Sequence, residues 1–303
     1  MKIVRTVREL REQVRNARAA GSPHVGLVPT MGALHEGHLS LVRAAQQAGG
    51  FVVLSIFVNP KQFTEASDLD SYPRQEEADA ALAAGAGVDV IFAPDATELY
   101  PGGFATNVHV GGPLTETLEA AGRGPEHFDG VATVVSKLLI AAGPDAAYFG
   151  QKDAQQLLVV RRMVADLGLP VEIVACPTVR DDDGLAKSSR NVRLSTEDRA
   201  RALAIPRALE AAETALALGE TRVAALHARA AAVLTAAGIE PEYLAFVDTS
   251  ALAPLETIEA PALLAIAARV GTVRLIDNTL LTPPTADGFG DPPALHHPHP
   301  EER

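Results

Sequence analysis

His35 and His38 stand three residues apart in Val25-Gly-Leu-Val-Pro-Thr-Met-Gly-Ala-Leu-His-Glu-Gly-His38. At a helix start that spacing lets both imidazoles face one bound group. Gly32 and Gly37 remove side chains where a nucleotide would approach the backbone. Taken alone, the pair is open to three readings. It could be two surface histidines, half of a metal site that lacks a third ligand nearby, or a phosphate site built on the unpaired N–H groups of a helix start. Three further polar clusters share its character: Asn59 with Gln62, Lys152 with Asp153 and Gln156, and Lys187-Ser188-Ser189-Arg190. Each alone is also what a solvated loop looks like.

The elements around these clusters decide whether they can meet. Val25 to Val28 reads as a buried strand, followed by a Pro-Thr-Met-Gly turn and a helix carried on by Leu39, Leu41, Val42, Ala44 and Ala45. Phe51 to Val58 is a continuous apolar run and reads as a central parallel strand. Asn59 and Gln62 follow its C-terminal end, the edge at which open α/β sheets bind ligands. An acidic helix through Asp79 and Leu82, a strand over 88–92, a helix over 128–142, a strand over 146–149, a helix over 153–167 and a strand over 171–176 complete the alternation. Strand alternating with helix at this spacing predicts an α/β fold with a doubly wound parallel sheet. The arginine-rich N-terminus carries a Thr6-x-x-Glu9 capping box with Val7, Leu10 and Val14 on one face, so it reads as a docked helix and not a transit peptide.

A polar, aperiodic loop follows Thr178, which places a domain boundary near 177. Residues 1–177 form the first domain. Residues 178–282 form a smaller C-terminal α+β domain with helices over 197–217 and 221–237, a strand near 243–247, and a hairpin of 263–267 with 273–276. Residues 283–303, Pro-, Gly- and His-rich without a core pattern, read as a disordered tail. The chain has 303 residues, 47% of them apolar and 21% charged, which describes an ordinary globular protein with no run long enough for a membrane span. A net charge of −12 argues against a nucleic-acid partner, so any cations for an anionic substrate must be gathered locally. The single cysteine, Cys176, reads as a packed residue at a strand end in a reducing compartment.

Together the clusters resemble the pantothenate synthetase family. The matching stretches are Pro29-Thr-Met-Gly-Ala-Leu-His35-Glu-Gly-His38, Phe57-Val-Asn-Pro-Lys-Gln62-Phe63, Tyr72-Pro-Arg74, His127-Phe128-x-Gly130-Val131, Phe149-Gly-x-Lys152-Asp153-x-Gln-Gln156 and Asp183-Gly-Leu-Ala-x-Ser188-Ser189-Arg190-Asn191. The resemblance covers about 24–280. It implies a Rossmann-like, His-x-Gly-His nucleotidyl-transfer domain with a C-terminal lid, and a cytoplasmic homodimer. The implied reaction joins pantoate to β-alanine with ATP and Mg2+ through a pantoyl adenylate, releasing AMP and pyrophosphate. By the same resemblance His38, His35 and Lys152 are catalytic. ATP is held by Met31, Gly32, Ala33, Leu34, His35, Glu36, Gly37 and His38, by Gly150, Gln151, Lys152 and Asp153, and by Val179, Lys187, Ser188, Ser189 and Arg190. Gln62 and Gln156 take pantoate and β-alanine by that resemblance; Asn59, from its place at the strand edge, is a further candidate contact for them, and Asp79 is a candidate behind the metal through water. Neutral amides suit a carboxylate nucleophile, because an arginine fork would stabilise its charge before attack.

The chain departs from the family at Lys187 (usually Met or Leu), Gln151 (usually Glu), Ala154 (usually aromatic) and Arg123, one residue further from His127 than expected. Two alternatives remain in view: another nucleotidyltransferase of the same superfamily, and a nucleotide-binding module without catalysis.

Overall fold

The structure is a computed structural model that describes residues 1–63, 69–70 and 72–283. Apart from Pro283, the expected tail over 283–303 lies outside the described residues. The chain divides into two compact units, Met1–Asp181 with Ala186–Ser189, and Asp182–Leu185 with the chain from Arg190 onward. Where the sequence suggested one crossing near 177, the chain leaves the first unit at Asp182, returns for Ala186–Ser189 and leaves again at Arg190.

The first unit is a six-stranded parallel sheet flanked by helices. Its elements run β1 (Lys2–Val4), α1 (Val7–Ala19), β2 (Val25–Thr30), α2 (Glu36–Gln47), β3 (Phe51–Ile56), α3 (Glu76–Gly85), β4 (Val90–Phe92), α4 (Ala96–Leu99), α5 (Glu119–Arg123), α6 (Pro125–Ala142), β5 (Ala146–Gly150), α7 (Ala154–Leu167) and β6 (Glu172–Cys176). The strand order is β1-β4-β3-β2-β5-β6, the doubly wound arrangement expected. Central strands have no alternation because both faces are covered: Val25, Leu27, Val28, Val52, Val53 and Leu54 are all buried. Val52 and Leu54, on one face, cluster with Leu41, Val42 and Ala45 of α2. α1 starts at a Thr6–Glu9 capping box with both reciprocal bonds formed. β1 was not anticipated. It is an edge strand of three residues with Val4 alone buried, too short for periodicity to register.

In the second unit α8 (Thr196–Ala202), α9 (Ala204–Ala217) and α10 (Val223–Ala236) precede an antiparallel sheet of β7 (Pro241–Asp248), β8 (Ala262–Val270) and β9 (Val273–Leu281). The helix expected over 197–217 is two helices meeting at Leu203. Pro206 explains the break, since it has no N–H for the Ala202 carbonyl and its ring crowds that group. Leu209, Leu226, Leu234, Leu264 and Ile266 belong to one core joining these helices to the sheet. Among the described residues no helix is long and apolar enough to cross a membrane.

Candidate active site

From β2 the chain builds the sheet outward through β3 and β4, then crosses back to place β5 and β6 on the other side of β2. The C-terminal ends of β2 and β5 therefore flank the point where strand order reverses, the place such sheets bind ligands. Thr30 ends one strand and Gly150 the other. The histidine loop and Gln151-Lys152-Asp153 issue from these two neighbouring ends.

The loop after β2 is held by buried polar groups. Thr30 Oγ1 donates to the Ser55 carbonyl (2.6 Å) and accepts from Gly32 N–H (3.2 Å). Gly32 has φ +81°, and a β-carbon there would lie 2.9 Å from Asp79 Oδ2, so both conformation and space demand glycine. Asp79, 1% exposed, accepts Ala33 N–H at 2.9 Å and Leu34 N–H at 2.7 Å, one on each oxygen. Asp79 is the residue expected behind the metal through water. Its carboxylate is buried and engaged in fixing the backbone of the loop.

The helix start is also more closed than the sequence suggested. His35 is the N-cap of α2 and its Nδ1 accepts from Gly37 N–H at 3.1 Å, while His38 Nδ1 accepts from His35 N–H at 3.3 Å. The two rings are 4.1 Å apart, centroid to centroid. This is a capping box made of histidines. With the N–H groups of Gly32, Ala33, Leu34, His35 and Gly37 already bonded within the protein, the loop does not hold out a row of free N–H groups. An accepting Nδ1 places each ring's proton on Nε2, so both neutral imidazoles carry an Nε2–H donor.

Charge gathers around that pair. Burial pushes His38 down to about 3, helped by the neighbouring His35 and Lys152 and opposed by Asp153. Burial also lowers His35, with Lys152 and Lys187 adding to the effect and Asp153 and Asp181 opposing it. Lys152 is thus close enough for its charge to act on both rings. Lys187, paired with Asp181, is brought back by a bridge between Arg180 and Ala186 and by its own N–H on the Val179 carbonyl at 2.9 Å.

Beside this lies the amide group. Asn59 Nδ2 donates to Gln62 Oε1 and to the Gly130 carbonyl, both at 3.0 Å, and Gln62 Nε2 donates to Met31 Sδ at 3.0 Å. Met31, expected against ATP, accepts the Gln62 N–H through its sulfur. His127 Nδ1 donates to the Gln62 carbonyl at 2.7 Å. Asp153 acts on His127 as it does on His35 and His38. Gln156 sits in the first turn of α7, and its side chain makes no hydrogen bond to the described residues. Arg123 pairs with Glu119 at 3.0 Å, and its charge reaches His127. Glu36 pairs with Arg43. Ser188 and Ser189 belong to the first unit and Arg190 to the second, so the Ser-Ser-Arg run is divided.

A family model described as "Pantoate-beta-alanine ligase" matches residues 2–280. The chain belongs to the pantoate-beta-alanine ligase family. It is 53% identical over 284 residues to the pantothenate synthetase of Rhizorhabdus wittichii, covering 93% of this chain and 99% of that protein. With the enzyme of Cereibacter sphaeroides it shares 55% over 276 residues, 91% and 98% of the two chains. The crystal structure of pantothenate synthetase from Thermus thermophilus is 50% identical with a TM-score of 0.86, covering 93% of this chain and all of that one. The Francisella tularensis ligase, described as complexed with beta-gamma ATP and beta-alanine, is 32% identical with a TM-score of 0.75, over 92% and 97%. The protein is an ATP-dependent ligase of pantoate and β-alanine, and the two alternative readings fall away.

Sequence reasoning about the ligase missed Tyr100, whose hydroxyl donates to Asn59 Oδ1 at 2.8 Å. The available signal was a tyrosine in an aperiodic stretch, a side chain whose hydroxyl needs a partner when buried. The depressed histidines carry a stability consequence. The unfolded chain takes up protons near 6.5, the ordinary value, whereas folded His38 resists until about 3. Unfolding then binds protons, so stability is full above about pH 6.5 and declines as pH falls through that window. Urea midpoints measured from pH 7.5 to 5 should fall, with a shallower fall for His38→Gln. An identical slope would show that His38 does not resist protonation.

Proposed function

We propose that the ligase works through an acyl adenylate at the β2/β5 edge. A carboxylate oxygen of pantoate attacks the α-phosphorus of ATP, the bond to pyrophosphate breaks, and pantoyl adenylate forms. The amine of β-alanine then attacks the acyl carbon, the bond to AMP breaks, and the amine gives up a proton as the amide forms. Phosphoryl transfer asks little covalent help of a protein, so positioned donors and charge carry the rate. His38 and His35 supply Nε2–H donors to phosphate oxygens as charge moves onto them. Lys152 adds a full positive charge, and Lys187, Ser188 and Ser189 hold the phosphates further along. Gln62 and Gln156 bind pantoate as neutral amides, leaving its carboxylate nucleophilic.

The observation that carries this reading is the geometry of two imidazoles 4.1 Å apart, each held through Nδ1 by a backbone N–H of the loop, with the Asn59 and Gln62 amides tied to Met31 of that same loop. Mg2+ is part of the proposal as the ion that screens the triphosphate. Among the described residues no three His, Cys, Asp or Glu cluster as a metal cage, which suits an ion carried mainly by the nucleotide's own phosphates. A homodimer in the cytoplasm is carried over from the family, and light scattering that gives only the monomer mass would remove the dimer.

The deciding experiment supplies pantoate, β-alanine and Mg-ATP and identifies the nucleotide product. AMP with pyrophosphate is expected, together with exchange of labelled pyrophosphate into ATP that needs pantoate but not β-alanine. ADP as product, or exchange that waits for β-alanine, overturns the adenylate route.

A further inference from the structure

Asn59 is 1% exposed, and all four of its amide hydrogen-bonding positions are used. Its oxygen accepts from the Tyr100 hydroxyl at 2.8 Å and from Lys61 N–H at 3.2 Å. Its nitrogen gives one proton to the Gly130 carbonyl and the other to Gln62 Oε1. The Asn59 amide therefore has a single satisfied orientation. In that orientation Gln62 has its oxygen tied inward, and the partner left to its nitrogen is the Met31 thioether, a weak acceptor.

The surroundings keep the frame tight. A β-carbon on Gly130 would lie 2.3 Å from the Lys61 carbonyl oxygen, so α6 approaches the Gln62 turn as closely as backbone allows. The Tyr100 ring is packed independently of its hydroxyl, against Phe57 and Phe104 with centroids 6.1 and 5.0 Å away. The hydroxyl is the shorter of the two donors to Asn59 Oδ1 and comes from a different part of the chain.

We propose that Tyr100 is a positioning residue. Acting through Asn59, its hydroxyl fixes the Gln62 amide with the oxygen held and the N–H group presented as a donor to an oxygen of the acid substrate. A substrate oxygen replaces the Met31 sulfur at little cost, so the free protein already has the bound orientation of this amide. The inference rests on the assignment of Gln62 to pantoate, and its test separates the two.

Tyr100→Phe keeps the ring and removes the relay. The KM for pantoate should rise about fivefold, the scale of one neutral hydrogen bond, with kcat and the KM for ATP near their original values. In a Gln62→Ala background the same change should add nothing to the pantoate KM. In the unliganded full-length protein the side-chain amide cross-peak of Gln62, assigned by its loss in Gln62→Ala, should move in Tyr100→Phe. An unmoved cross-peak overturns the relay, as does an equal rise in both KM values or the same fold-change with and without Gln62. If Gln62→Ala leaves the pantoate KM untouched, the substrate assignment fails, while the cross-peak still judges Tyr100.

Discussion

Replacing His38 with alanine should lower kcat by about a hundredfold or more, the loss expected when a donor made for the transition state is removed. The ground for this is geometric and electrostatic together. His38 is pinned through Nδ1 to the backbone of the loop it starts from, its proton is directed to Nε2, and burial keeps the ring neutral at working pH. A neutral donor also makes a second, sharper claim. Were the free enzyme to use an imidazolium as an acid, kcat/KM would fall as pH rises through about 6.5, the ordinary histidine range. No such fall is expected from about pH 6 to 8. A descending limb near 6.5, abolished in His38→Gln, would contradict the neutral donor, and near-normal turnover of His38→Ala would take the residue out of the reaction.

The second large effect belongs to Asp79. Asp79→Ala deprives Ala33 and Leu34 of their N–H acceptors inside the protein. Stranding buried donors costs about 1–3 kcal/mol each, so unfolding free energy should drop by about 3 kcal/mol and activity should be lost with the shape of the loop. Asp79→Asn distinguishes this from the metal reading. One end of an asparagine amide is a donor and meets a donor here, so the variant should also be destabilised. The Mg2+ concentration for half-maximal activity should stay the same. A fully stable Asp79→Asn protein with a shifted Mg2+ requirement would support the metal reading and discard the structural one.

The two predictions differ in how far the sequence led to them. His38 was legible because its chemistry is local: a strand, a glycine turn and a helix start bring His35 and His38 together whatever the rest of the chain does. Asn59 and Gln62 were legible for the same reason, as a short turn at the end of an apolar strand. Asp79 was visible as a residue but not as a brace of this loop. Its partners lie 46 and 45 residues away, and nothing in an acidic, alanine-rich helix says which loop its inner face will meet. Tyr100 is 41 residues from Asn59, and the sequence around it has no period to place it.

By itself, then, the sequence determined the alternation of elements, the strand ends on which the polar clusters sit, and the residue types able to handle phosphate and carboxylate. Those follow from short-range periodicity and from side-chain chemistry. The tertiary structure decided the protonation and orientation of the groups: which imidazole nitrogen holds the proton, which end of the Gln62 amide is tied, and that Asp79 braces a backbone. Burial and hydrogen bonding across the fold set those properties, and both depend on neighbours that only the packed chain supplies.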